Sequence, residues 1–144
     1  VTNSDVRSRN SACSTYPMGT TDTSAPLACQ GPKITVIQGN AKLTNAGGTG
    51  ILLVTGNLEL AGNLTWDGLV LVIGSGQLVM SGGGTKTING GVYVANTTAG
   101  ATLGAVNVDM NGGGNSHLLY DSCKIANATA NQSYRVITYR EMTY

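Results

Sequence analysis

GILLVTGNLELAGNLTW at residues 50–66 is followed by GLVLVIGSGQLVMSGGGTKTI at 68–88 and by GVYVA at 91–95. Each pass opens on a glycine, runs through a short apolar stretch and meets a Gly-Asn or Gly-Gln step before the next short strand. A register that returns about every twenty residues is the mark of a solenoid, in which each coil buries its apolar face only by stacking on its neighbours. The fold class expected is all-β: a parallel β-solenoid, read as a right-handed β-helix because the coils are irregular in length and lack a hexapeptide signature. The competing arrangement is an antiparallel sandwich, since Gly-Asn also marks hairpin turns.

Working outward, short strands are expected at 34–39, 41–45, 51–54, 58–60, 64–66, 69–73, 77–80, 86–88, 92–95, 105–110 and 117–120. Three strands per coil predict a triangular cross-section. Leu58, Glu59 and Leu60 alternate as a half-buried strand should, with Glu59 in water. Alternation fails in ILLV and LVLVI, which predicts an outer face covered by something else, the N-terminal arm or a partner. Glycines and the asparagines after them (Asn40, Asn57, Asn63) are placed to turn the corners, the asparagines by bonding their own backbone.

Three regions follow. Residues 1–32 hold all three prolines (Pro17, Pro26, Pro32) and read as an irregular arm over the first coil, with a helical turn near Asp5 to Ala12. Residues 33–120 are the solenoid. Residues 121–144 cap it with a short helix, begun by Asp121 or Ser122, and a closing strand at 133–144 that would cover an open coil edge.

Composition bounds the function. Of 144 residues 21 are Gly, none is Phe and 10% are charged, which suits a frequently turning backbone and a small-aliphatic core rather than helices. A net charge of +1 with dispersed Lys and Arg gives no bias toward nucleic acid. No stretch is long and apolar enough to span a membrane, and VTNSDVRSRN does not read as a signal peptide.

Chemistry is sparse. Glu59 and Asp67 are the only acids close together within the coils, and they fall in different parts of one coil, so no paired-acid site of the glycosidase kind is expected. His117, the single histidine, has neither a metal triad nor a catalytic triad spaced around it and reads as a half-exposed packing residue. Thr85-Lys86-Thr87 resembles an ice-binding motif but occurs once. No catalytic or metal-binding residue, no cofactor and no enzymatic activity are expected.

Cys13 and Cys29 flank a Ser/Thr/Pro-rich loop, and a disulfide between them would restrict the unfolded chain by about 3 kcal/mol and place the protein in an oxidising compartment. Cys123 is then a small buried hydrophobe. A Cys29–Cys123 pairing is the alternative. Candidate ligand or interface residues are Trp66 with Asp67, where an exposed indole would stack on a sugar, and Tyr93 and Tyr139 as interface anchors.

GILLVTGNLELAGNLTWDGLVLVIG, GGGTKTINGGVYVAN, LLYDSCKIANA and YRVITYREM together resemble the C-terminal domain of PilX-type type IV pilus assembly proteins, over about residues 47–142. The most specific parts are Tyr120-Asp121-Ser122-Cys123, the short helix after it, and the terminal strand with Tyr139, Arg140 and Glu141. The resemblance implies export, display on the bacterial cell surface and a structural role in a pilus or extracellular filament, with other subunits or further copies of itself as partners. The hydrophobic N-terminal helix of pilin-like proteins has no match here, and the Cys13–Cys29 arm has no place in the family pattern. A surface adhesin or carbohydrate-binding solenoid is the second functional reading.

Overall fold

The computed structural model describes Cys13, Thr15, residues 18–102 and residues 105–130. The expected turn near Asp5 and closing strand at 133–144 lie outside the described residues. Among the described residues there are nine strands: β1 (Lys33–Ile37), β2 (Ala41–Thr44), β3 (Gly47–Val54), β4 (Leu58–Ala61), β5 (Leu64–Gly74), β6 (Gln77–Ser81), β7 (Thr85–Asn96), β8 (Asn107–Asp109) and β9 (Asn115–Tyr120), followed by helix α1 (Ser122–Thr129). Odd strands form one sheet, β1-β3-β5-β7-β9, and even strands another, β2-β4-β6-β8. Every pairing between these strands is parallel. The chain is a parallel β-solenoid, and the antiparallel sandwich is excluded.

Two of the three strands expected in each coil are continuous, since 64–66 joins 69–73 in β5 and 86–88 joins 92–95 in β7. They join through a column of glycines, Gly50, Gly68 and Gly90, paired in register with φ of 118°, 133° and 140°. There the chain passes from one side of the coil to the next. A Cβ on Gly68 would collide with the Gly50 carbonyl oxygen and stand 2.9 Å from the Ala128 Cβ. Only glycine permits both the backbone conformation and the close approach of the preceding coil.

Inward residues build one core along the axis, including Leu43, Leu52, Val54, Leu58, Leu60, Val70, Val72, Leu78, Met80 and Ile88. Parallel register stacks like on like: Leu52 on Val70, Leu58 on Leu78, Leu60 on Met80. Each such side chain contributes roughly 1.5–3 kcal/mol by leaving water. The coils lengthen along the chain, from 17 residues between Lys33 and Gly50 to 30 between Gly90 and Tyr120. The longer coils absorb the glycine run at 82–84 and the segments at 97–102 and 110–114, which lie outside the strands.

The corner asparagines act otherwise than expected. Asn40, Asn45 and Asn63 accept, through side-chain oxygens, from the backbone N–H groups of Asn57, Asn63 and Thr85 in the following coil. They satisfy backbone groups between coils where the strand ladder is interrupted. Only Asn45 among non-glycine described residues has positive φ, at 48°.

The first coil is covered. Met18 pairs with Gly48 and Thr20 with Gln30, while Ala25 and Cys29 are buried. Cys13 and Cys29 form a disulfide with 5.5 Å between Cα atoms, which rules out the Cys29–Cys123 pairing. Cys123 is free and exposed, not the buried hydrophobe expected. It lies in the first turn of α1, a short helix of which only Ala128 is buried.

Candidate interaction surface

The double apolarity of ILLV and LVLVI has a structural cause. Leu52, Val54, Val70 and Val72 fill the core, while Ile51, Leu53, Leu69, Leu71 and Ile73 point outward and are half-buried. The cover over this outer face is α1, which packs on β3, β5 and β7. Ala128 sits beside Gly68, and Ile125 beside Gly91 and Leu69. The described part of the cover is therefore the C-terminal helix rather than the N-terminal arm.

Asp121 begins α1 as expected, accepting from the N–H of Cys123 at 2.9 Å and of Lys124 at 3.1 Å. A second anchor is Asp67, whose carboxylate accepts from Lys124 Nζ at 2.7 Å and from Asn89 Nδ2 at 2.9 Å. Partial burial pushes the Asp67 carboxyl up, but the hydrogen bonds from Lys124 and Asn89 and the lysine charge outweigh it and hold it below the ordinary range. The same contact raises Lys124. Asp67, singled out as a partner for an exposed indole, instead fastens the helix to the sheet.

Trp66 points the other way. It is 1% exposed, and its Nε1 donates to the Gly50 carbonyl at 3.2 Å, so its ring belongs to the core and offers no stacking platform. Glu59 lies on the four-stranded sheet, held by Lys42 at 2.7 Å and by the Ser81 hydroxyl at 2.6 Å, which keep its carboxyl below the ordinary range. Glu59 and Asp67 are thus spent on separate contacts on separate sheets. His117 is exposed, beyond the half-exposed packing role expected for it. Tyr139 lies outside the described residues.

Tyr93 is 58% exposed and ends an outward column, Val36–Leu53–Leu71–Tyr93, that runs beside α1 across four strands of the five-stranded sheet. At a rise of about 4.8 Å per coil the column is roughly 14 Å long. Val36 is also exposed, while Leu53 and Leu71 are half-buried.

A second apolar surface lies at the C-terminal end of the stack. Val108 pairs with Leu78, and Leu118 with Ile88, so both occupy inward positions. Where their partners are fully buried, Val108 is 43% exposed and Leu118 36%. Met110, Leu119 and Tyr120 are also exposed. The core cross-section is open at this end among the described residues, whereas the disulfide-bonded arm covers the other. Ser116, stacked on Lys86, has a buried hydroxyl oxygen with no hydrogen-bond partner among the described residues.

Lys86 was not legible as an interior residue. It is 0% exposed and sits between Leu64 and Ser116 in the inward register. Its Nζ donates to the carbonyls of Gly82 at 2.9 Å, Gly83 and Gly113 at 3.3 Å and Gly84 at 3.5 Å. The three consecutive glycines were a visible signal. They let carbonyls converge on one point at a corner, and a buried cation is the natural group to meet them.

Among the described residues no group of three or more His, Cys, Asp and Glu side chains is arranged to hold a metal ion, and no helix is long and apolar enough to cross a membrane. No protein-family model, curated protein or solved structure matches the chain.

Proposed function

We propose that this protein is a non-enzymatic structural subunit of a bacterial cell-surface filament or pilus, displayed outside the cell and assembling through the C-terminal end of its solenoid. The observation that carries the reading is the core cross-section exposed, among the described residues, at Val108 and Leu118. Apolar residues in inward register have the geometry of a coil awaiting another coil, and strand edges at such an end supply the backbone donors and acceptors for it. Covering of the opposite end makes the two ends unlike, the condition for directional rather than closed assembly. The Cys13–Cys29 disulfide fits an oxidising, extracellular compartment. The pilus-type context is supported by the residue resemblance in Tyr120–Cys123 and the segments around it.

The adhesin reading loses its indole with Trp66 in the core. The groove on the four-stranded sheet, lined by Asn40, Lys42, Asn57, Glu59 and Gln77, has no aromatic ring to replace it.

Electron microscopy and light scattering on the purified protein test the proposal, with V108K and L118K as variants. The expected result is ordered assemblies for the unaltered chain and loss of assembly in both variants. A uniform monomer across the concentration range, or assembly indifferent to both substitutions, would refute it.

A further inference from the structure

The outward face of the four-stranded sheet carries one column of charge. Lys42, Glu59, Val79 and Asp109 follow one another in register from β2 to β8. Lys42 Nζ donates to Glu59 at 2.7 Å and keeps half of its side chain in water. Asp109, at the far end, accepts from the Asn111 N–H at 2.9 Å and is in no ion pair among the described residues. The column therefore begins on a cation with an open side and ends on an anion without a counter-charge.

β2 and β8 are also the two edge strands of this sheet among the described residues. Ala41 N–H donates to the Asn57 carbonyl and Asn107 N–H to the Gly76 carbonyl, so odd-numbered residues of both strands bond toward the neighbour each already has. The alternate residues, Lys42 in β2 and Val108 in β8, turn their N–H and C=O along the axis toward opposite ends. The arm covers the core of the first coil, with Ala25 and Cys29 buried, and its described bridges, Met18–Gly48 and Thr20–Gln30, do not involve β2. The inward column Ala41–Leu58–Leu78–Val108 keeps one register at every step. One further step in that register sets Ala41 of a second copy on Val108 and its Lys42 on Asp109, with the Lys42 N–H donating to the Val108 carbonyl. At a strand spacing of about 4.8 Å, that ammonium lies between Glu59 of its own copy and Asp109 of the copy below. Tail-to-tail contact instead brings two β8 edges together with their Asp109 carboxylates, and like charges across a strand contact are destabilising.

We propose that the β8 edge at the C-terminal end takes the β2 edge of a second copy of this chain, head to tail, with Asp109 and Lys42 forming the ion pair across the junction. Strand parity, register and charge all select this pairing over a closed dimer. The inference rests on the reading of the chain as a filament subunit and names the surface of the next copy that this reading leaves open.

The test is light scattering and electron microscopy of the full chain with the variants D109K and K42D. Each variant alone sets like charges at every junction and is expected to raise the apparent dissociation constant for assembly about tenfold or more. In an equimolar mixture every junction between unlike variants again joins opposite charges, and assembly is expected to return to within about threefold of the unaltered chain. K42M and D109N remove the charges without setting a new one beside Glu59, and combined they are expected to weaken assembly no more than either does alone. Assembly indifferent to D109K and K42D, a mixture no better than its components when circular dichroism shows both folded, or additive effects of K42M and D109N overturns the proposal and leaves the filament reading standing. An unaltered chain that stays monomeric at every concentration overturns both.

Discussion

Replacing Lys86 by methionine gives the sharpest test of how this solenoid tolerates a cation in its interior. Methionine keeps most of the side-chain volume and removes the ammonium, leaving the carbonyls of Gly82, Gly83, Gly84 and Gly113 without that donor. Hydrogen bonds to a charged group contribute about 1.5–3 kcal/mol each. Three of the four contacts lie at 2.9–3.3 Å, and the fourth, at 3.5 Å, adds little. Against them stands the cost of taking an ammonium out of water, several kcal/mol for a fully buried ion. The glycine carbonyls belong to a corner where water can replace part of what is lost. The expected net loss in K86M is about 2–4 kcal/mol, a fall in Tm of roughly 5–15 °C for a chain of this size. Urea denaturation with unchanged m, alongside a thermal scan, measures it. Amide exchange should place the loosening at residues 82–88 and 113–116. A K86M protein as stable as the unaltered chain, or more so, would refute the reasoning and show that desolvation cancels the four contacts.

The glycine corner makes a paired prediction. G68A meets the Gly50 carbonyl and Ala128 at a φ of 133°, whereas a Cβ on Gly83 meets nothing within 4 Å. G68A is expected to cost about 3 kcal/mol or more and G83A less than about 0.5 kcal/mol by denaturation, and equal effects would remove the close-approach argument. The docking of α1 carries a pH signature. Asp67 is lowered from its ordinary 3.8, so its contribution is complete above that value and is lost as pH falls through its folded-state value. Lys124 is raised from 10.5, so its contribution is complete below that value and disappears as pH rises through its folded-state value. Both groups are partly exposed, and the effect is small. Resonances of Ile125 and Ala128 should be constant between about pH 5 and 9 and shift outside that window, and movement within it would point to another group.

The repeat of glycine, apolar stretch and Gly-Asn step contains the solenoid because each coil must solve the same problem: turn a corner, bury one face, and hand the next coil an identical surface. That local requirement is written in GILLVTGNLEL and again in GLVLVIG, which is why strand positions were legible in the sequence; the Cys13–Cys29 loop and the Asp121 cap were legible from cysteine spacing and capping chemistry of equally short range. Glycine and asparagine at corners are dictated by backbone geometry, which acts over a few residues. What the chain alone left open depends on contacts between residues far apart in sequence. Trp66 and Tyr93 look equally available as aromatic residues, and only stacking puts one against Gly50 and the other in water. The glycine run at 82–84 is the local mark beside Lys86, and it does not by itself turn the side chain inward. Its interior position follows from the register that pairs it with Leu64 below and Ser116 above, and from the convergence of carbonyls contributed by two different coils. Apolar residues on both faces of ILLV and LVLVI announced a cover without naming it. The salt bridge across 57 positions between Asp67 and Lys124 helps to bring α1 there, a choice made by tertiary packing because no neighbour in sequence supplies the partner charge.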